Sequence, residues 1–213
     1  MKKSYTFLSL LFSFLFLEKI NAQWSVTPSI GVNYCTITHK KTQFKDYEAR
    51  KYQNIVLSTF GLTLKKSYPK EHFAIELSNN FSQKGYKLNS INLHKVRYID
   101  VVPAVTIFLP LHLNLYVGAN VGRRIDELFS TDDAKSWNRV FPGTSLFRKF
   151  DFGGIIGIQT AYKNVQFGIF ANRSLLPTGQ YRYENSSSAT TYINQYHQGF
   201  QFRLGYIFAL KDI

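Results

Sequence analysis

Residues 196–210 read YHQGFQFRLGYIFAL, and their alternation decides the fold. Tyr196, Phe200, Phe202, Leu204, Tyr206, Phe208 and Leu210 share one face, interrupted by Gln198, while His197, Gly199, Gln201, Arg203, Gly205, Ile207 and Ala209 share the other. Successive side chains of a strand point to opposite faces, so a hydropathy period of two marks a strand with one apolar face. The same split recurs upstream. Val165, Phe167, Ile169 and Ala171 oppose Gln166, Gly168, Phe170 and Asn172; Phe150, Phe152, Ile156 and Ile158 oppose Asp151, Gly153, Gly157 and Gln159, with Gly154 and Ile155 blurring the pattern. Leu113, Leu115, Val117, Ala119 and Val121 oppose Asn114, Tyr116, Gly118, Asn120 and Gly122; Val101, Pro103, Val105, Ile107 and Leu109 oppose Asp100, Val102, Ala104 and Thr106. Phe73, Ile75, Leu77 and Phe81 oppose Ala74, Glu76, Ser78, Asn80 and Ser82. Two weaker segments, around Val56–Leu64 and Trp24–Asn33, bring the candidate strands to eight, each close to the roughly 9–11 residues that a membrane-crossing strand needs.

The polar face separates lipid from water as the surrounding medium. A soluble sandwich turns that face to solvent and carries Lys and Glu on it; here it is mostly Gly, Ser, Thr, Asn, Gln and Ala. An eight-stranded barrel has an interior only wide enough for side chains to fill, and small residues with a few polar ones suit it. The Phe, Leu, Ile and Val faces then point outwards, where only lipid accepts a full apolar circumference. The opposite arrangement, a soluble periplasmic lipocalin-like binding barrel whose Phe and Leu faces line a cavity, is the alternative fold reading.

The connections carry a second signal. Thr36–Gln53, Gln83–Val96, Ile125–Arg148 and Leu176–Gln195 are long, and Lys65–Glu71, Pro110–His112 and Lys163–Asn164 are short, in strict alternation. Outer-membrane barrels have short periplasmic turns and long extracellular loops. The expected fold is therefore all-β: an eight-stranded antiparallel up-and-down transmembrane β-barrel. Pro103 and Pro28 stand against it locally, because proline cannot donate to the ladder; a bulge or an unpaired position would accommodate them.

The chain has 213 residues, 26 basic and 13 acidic, a net charge of +13 and one cysteine, Cys35. That excludes a disulfide framework or a cysteine-rich metal site. Residues 1–22 read as a cleaved export signal: Lys2 and Lys3, the uncharged run TFLSLLFSFLFL over 6–17, and a close at Asn21–Ala22–Gln23. The run is too short to span a bilayer as a helix, and the longest later one, VVPAVTIFLPL over 101–111, holds two prolines. The domain expected is 23–213. Without Lys2, Lys3, Lys19 and Glu18 it keeps 23 basic and 12 acidic residues, a net of +11. Export argues against nucleic acid as the partner of this charge. The basic residues assigned to loops, Lys40, Lys41, Lys45, Arg50 and Lys51 in the first and Lys84, Lys87 and Lys95 in the second, suit lipopolysaccharide phosphates, and Lys65, Lys66 and Lys70 in a periplasmic turn suit inner-leaflet phosphates. Trp137, Phe141, Tyr181, Tyr183 and Tyr192 fall in the long loops, as a binding surface or as loop packing.

Chemistry is sparse. Glu76, Asp100, Arg124, Asp151 and Arg203 fall on the inward face, with Lys211 near the rim, and isolated charges in a narrow barrel must pair. The expected role is an internal ion-pair network that fills and stiffens the barrel; a proton or solute path is the other reading. His39, His72, His94, His112 and His197 form no metal spacing, no GxSxG is present, and Asp132–Asp133 matches no calcium loop. No catalytic, cofactor or metal residue is assigned. A lipid-modifying outer-membrane enzyme remains the alternative function, with His39 or His94 as its base.

The chain resembles the eight-stranded outer-membrane barrels of Bacteroidota, the broad PorT-like family. The stretches that carry the resemblance are INAQ (20–23), ELSNNFSQKGYKL (76–88), YIDVVPAVTIFL (98–109), DFGGIIGIQTAYKN (151–164) and FQFRLGYIF (200–208), with Gln83, Lys84, Gly85, Tyr98, Asp100 and Pro103 at the matching positions. Such barrels often end on an aromatic residue, whereas this chain runs past Phe208 to Ile213. The resemblance implies residence in the cell outer membrane among membrane lipids. In one branch of the family it implies a link to secretion machinery. The function expected is a non-enzymatic integral outer-membrane barrel, structural or part of an envelope or secretion-associated assembly.

Overall fold

The computed structural model describes residues 23–39, 52–88, 92–131, 136–140, 147–184 and 190–210. The export signal, the basic cluster 40–51, Asp132–Asp133, Phe141 and Lys211 lie outside the described residues. Eight long strands follow one another: β1 Gln23–His39, β2 Ile55–Tyr68, β3 Phe73–Leu88, β4 Asn92–Phe108, β5 Leu113–Ser130, β6 Phe150–Tyr162, β7 Val165–Ser174 and β8 Thr190–Tyr206. Each pairs antiparallel with its sequence neighbours, and β1 pairs with β8 from Ser29↔Gly205 to His39↔Gln195, so the sheet closes on itself. Four short strands extend staves of the barrel. Tyr52–Gln53 pairs with the end of β3, Asn138–Arg139 with the end of β5, Gly179–Glu184 with the start of β8, and Phe208–Leu210 with the start of β1.

The stagger follows from the register. Val26 lies opposite Leu64, Leu64 opposite Leu77, and Leu77 opposite Pro103. The β4–β5 register sets Pro103 against Ala119; the row then runs through Gly154, Arg173 and Gln198 to Thr36. One circuit therefore moves ten residues along β1, from Val26 to Thr36. With eight strands about 4.8 Å apart and about 3.4 Å of rise per residue, that stagger tilts the strands by about 42° and gives a radius of about 8 Å.

Such a radius leaves little room inside. The inward positions are small or polar, among them Thr27, Thr59, Thr63, Ala74, Ser78, Asn80 and Ser82, all buried. Two glycines show why. A Cβ on Gly157 or Gly168 would overlap the ring of Phe170, so the ring occupies the space that the two glycines leave. The alternation blurred by Gly154 and Ile155 is intact: Ile155 is 5% exposed inside the barrel, and Gly154 lies on the outer wall.

The exterior is apolar around the full circumference. Ile30, Phe60, Leu62, Leu77, Val105, Val117, Ile156, Phe167, Ile169, Phe202 and Leu204 are each 40–64% exposed, and every one of the eight strands contributes to this wall. On β4 the outward run Ile99, Val101, Pro103, Val105, Ile107 covers nine residues. At about 2.5 Å of axial rise per tilted residue, it reaches roughly 20–23 Å, close to the roughly 25 Å apolar band of membrane barrels. The Phe and Leu faces thus do not line a cavity, which overturns the lipocalin-like alternative. Toward the turns, Lys66 lies 5.3 Å from the Trp24 ring and 5.4 Å from that of Tyr68, and Tyr68 stacks on Phe73.

The short connections are as expected: Pro69–Glu71 and Pro110–His112 are single 3-10 turns, and Lys163–Asn164 is a two-residue turn. The long ones differ from expectation. β3 runs to Leu88 and β4 starts at Asn92, so Gln83–Val96 is mostly strand with only residues 89–91 between. Lys84, Lys87 and Lys95 are strand residues, and so is Lys65, placed in a turn by sequence. Tyr181, Tyr183 and Tyr192 likewise fall on strands, and Tyr196, grouped with the outward residues, is buried. Long strands form because pairing with at least one neighbour continues past the apolar band, as Lys84 to Leu88 pair with Val96 to Asn92. A register shift at Arg97/Tyr98 leaves Ile125 without an opposite number, a bulge of the kind that sits at barrel rims.

Both prolines fall where a donor is not needed. Pro103 pairs with Leu77 on β3, while the β4–β5 ladder is interrupted at Val102 and Pro103. Pro28 faces the break between Tyr206 and Phe208, where the Ile207 amide donates to the Asn164 carbonyl at 2.7 Å.

The wall predicts lipid as its medium. Ile30→Arg, near the middle of the band, should cost about 2–4 kcal/mol in urea unfolding from lipid vesicles. A change near zero would mean that Ile30 faces water.

Candidate functional site: the barrel interior

The inward charges fall into separate groups because the register spaces them along the axis. Nearest the turns, Glu76 on β3 is 3% exposed. Its Oε1 receives Lys65 Nζ at 3.2 Å, Thr106 Oγ1 at 2.7 Å and Gln159 Nε2 at 3.0 Å. Lys65 reaches it because Lys65 and Glu76 are direct cross-strand partners. Above this group lies an apolar layer of Val102, Ala104, Tyr116, Ile155 and Phe170, with Tyr116 and Phe170 edge to face at 4.9 Å. Arg203 lies against this layer, its guanidinium 4.7 Å over the Phe170 ring and its Nε donating to Gln201 Oε1 at 2.8 Å.

The second group centres on Lys84. Its ammonium lies 2.8 Å from Asp151 Oδ2 and 3.3 Å from Asp100 Oδ1. Asp151 also accepts from Ser174 Oγ at 2.7 Å, and Asp100 accepts from Ser82 Oγ and from Asn120 Nδ2 at 3.3 Å. Both carboxylates are almost fully buried, so the shared lysine and these donors replace the water they have lost. Lys84 also lies 4.8 Å over the Tyr98 ring.

Beyond it the barrel is closed by Ile37, Tyr86, Val96, Tyr98 and Phe147, with Tyr52 and Leu88 against them. His197 stacks on Phe147 at 5.2 Å. His39 meets Tyr52 at 4.8 Å, and His94 stacks on Tyr86 at 5.2 Å. Arg124 binds Glu127 at 3.2 Å and donates to the Phe147 carbonyl, while His94 Nδ1 lies 3.6 Å from Glu127. Burial pushes the His94 imidazole down to about 4 despite that carboxylate.

Sequence reasoning placed Glu76, Asp100, Arg124, Asp151 and Arg203 in one network. The structure distributes them: Glu76 with Lys65, Asp100 and Asp151 on Lys84, Arg124 with Glu127, and Arg203 on Gln201 and Phe170. Lys84, the group common to two of them, lies on β3 and not in the outer loop that the sequence suggests. Its signal was the continuation Ser78, Asn80, Ser82, Lys84, Tyr86 of the inward parity. His39 and His94, the bases considered for an enzyme, lie within the aromatic closure rather than at an open rim. Cys35 is buried, and its Sγ accepts from the Gly85 amide at 3.3 Å. Among the described residues, no group of three or more His, Cys, Asp and Glu converges on a common point.

Two small spaces of about 20 Å³ each lie among these side chains. One is bordered by Lys84, Asp100 and Asp151, the other by Glu76, Gln159 and Arg203, and the Phe170 layer lies between. Each has room for about one water. Among the described residues the interior is packed in layers, with these two small spaces between polar side chains.

No family pattern and no curated protein sequence matches the chain. Among solved structures it is similar to Neisserial surface protein A, at 12% identity over 88% of this chain and 99% of that one, with a TM-score of 0.46. It is also similar to Ail, the attachment invasion locus protein of Yersinia pestis, at 14% identity over 87% and 99%, TM-score 0.42. OprG, an outer-membrane protein of Pseudomonas aeruginosa, matches at 9% identity over 90% and 97%, TM-score 0.42. At such identities the likeness is one of strand layout.

Lys84→Met leaves two buried carboxylates unpaired and should destabilise the barrel by about 3–5 kcal/mol in urea unfolding. The triple variant K84M/D100N/D151N should recover much of the loss. A loss below about 1 kcal/mol for Lys84→Met would match a solvated surface pair instead. His94 should stay neutral to about pH 5 in an NMR titration. Because the unfolded chain binds that proton near pH 6.5 and the folded one does not, His94 lowers stability as pH falls from about 6.5 to about 4. A His94 midpoint near 6.5 would contradict its burial.

Proposed function

We propose that this chain is an integral protein of the cell outer membrane that works without catalysis, as a structural element or as part of an envelope or secretion-associated assembly. The observation that carries the reading is the closed ring of exposed Phe, Leu, Ile and Val around a plugged interior. Water does not tolerate that wall, and a membrane accepts it only on a barrel with no free edge. Packing layers across the bore argue for a scaffold rather than a conduit.

The finer parts of the reading rest on sequence. Residues 1–22 carry the marks of an export signal whose removal leaves 23–213 as the mature barrel. The short turns then face the periplasm and the extended strand ends face outwards. The stretches 76–88, 98–109, 151–164 and 200–208 support kinship with the PorT-like barrels of Bacteroidota, and with it a partner in secretion machinery. Membrane lipids, including lipopolysaccharide, are the expected surroundings, and the basic residues suit their phosphates.

Full-length protein expressed in a Gram-negative host tests this directly. It should be recovered with the outer membrane and should change gel mobility on boiling. Recovery in the periplasmic supernatant, with no effect of boiling, would overturn the membrane reading.

A further inference from the structure

The outer wall is not uniformly filled. Across β5 to β1 it holds an open trough of about 690 Å³, within the range of small-molecule sites. Its floor is Gly154 and Ala171, and its sides are Val117, Ile156 and Phe200. Gly154 is the notable absence. A Cβ there would meet nothing within 4 Å, whereas at Gly31, Gly85 or Gly157 it would collide with a neighbour. The fold has no steric need for glycine at 154, so the notch is free to serve something else.

The two cross-strand neighbours of Gly154 are Ala119 and Arg173, and the next residue in that row after Arg173 is Gln198. Arg173 is exposed on the outer wall, two residues from Leu175, which is 70% exposed. No carboxylate among the described residues pairs with its guanidinium. By the stagger of the row it stands about 19 Å above Val26 along the barrel axis, near the extended edge of the apolar band. Gln198 and the Tyr34 hydroxyl, which accepts from Asn54 Nδ2 at 2.8 Å, border the same end of the trough. Toward the middle of the band the trough is apolar; at the edge it carries a cation and hydrogen-bonding groups. An unpaired guanidinium at that depth calls for an anion, and its fork of donors matches phosphate.

We propose that this trough binds one phosphate-bearing lipid of the leaflet next to the extended strand ends. An acyl chain lies over Gly154 and Ala171, and the headgroup phosphate sits on Arg173 and Gln198. The proposal rests on the outer-membrane reading above and adds a defined lipid site to it.

Native mass spectrometry of the full chain in detergent, with lipid A and with dephosphorylated lipid A as probes, tests it. The variants are Arg173→Gln, Gly154→Phe and, as control, Arg123→Gln. Arg123 is also exposed on the outer wall but lies between Ile99 and Phe150, with no notch beside it. Folding is checked for each by the mobility shift on boiling. Wild type and Arg123→Gln should retain lipid A about tenfold better than Arg173→Gln or Gly154→Phe, and better than they retain the dephosphorylated probe. Equal retention by all four proteins, loss in only one of the two trough variants, or indifference to the phosphate overturns the proposal. A heat-shifting barrel that retains no lipid A overturns the lipid site and leaves the membrane reading standing. A chain that stays soluble without detergent and shows no shift overturns both.

Discussion

The antiparallel pairing of β1 with β8, from Ser29↔Gly205 to His39↔Gln195, is the constraint on which the rest depends. An open eight-stranded sheet would leave two rows of backbone donors and acceptors unpaired, and lipid offers them nothing. Closing the sheet satisfies them, and the ten-residue stagger at which it closes sets tilt and radius together. The radius then limits what can stand inside. Glycine at 157 and 168 makes room for Phe170, and threonine, serine and asparagine fill many other inward positions. Apart from the rings of the interior layers, the large apolar side chains face outwards and form the wall.

A bore of this width cannot hydrate buried charge freely, and the interior answers by layering. Lys84 holds Asp100 and Asp151; Lys65 and its neutral neighbours hold Glu76; Arg124 holds Glu127. Apolar layers lie between these groups, and the two spaces beside them are each about 20 Å³. The Lys84 and Glu76 groups each link side chains from several strands, so they resist sliding of one strand against another. This interior describes a stiff, plugged peg whose outer surface is the part that meets other molecules.

The faces of the barrel were legible in the sequence because a period of two survives in nearly every strand. Val101 to Ile107 against Asp100 to Thr106 needs no correction, and Pro103 remains in its strand because its missing donor falls on an interrupted side of the ladder. Strand ends were less legible. Beyond Ser82 the outward positions turn polar, Gln83, Gly85 and Lys87, because they stand clear of the apolar band. Hydropathy alternation fades there while the backbone pairing continues. Lys84 therefore reads as a loop residue in the sequence, and the centre of the Asp100–Asp151 group is hidden with it. The split of the five inward charges was illegible for a related reason: parity tells which face a residue occupies, and only the register tells how far along the axis it stands. The trough at Gly154 follows the same rule, since Arg173, Gln198 and Tyr34 come together only through the stagger.

The central claim is that one face of every strand meets lipid while the other meets a packed interior. Spin labels placed singly at positions 200 to 206 of β8, in the protein reconstituted into bilayers, measure this most directly. The account requires high oxygen accessibility with low access to a water-soluble relaxation agent at 200, 202, 204 and 206, and low access to both at 201, 203 and 205. Free access of the water-soluble agent to the first set, or the absence of a two-residue period, would contradict it.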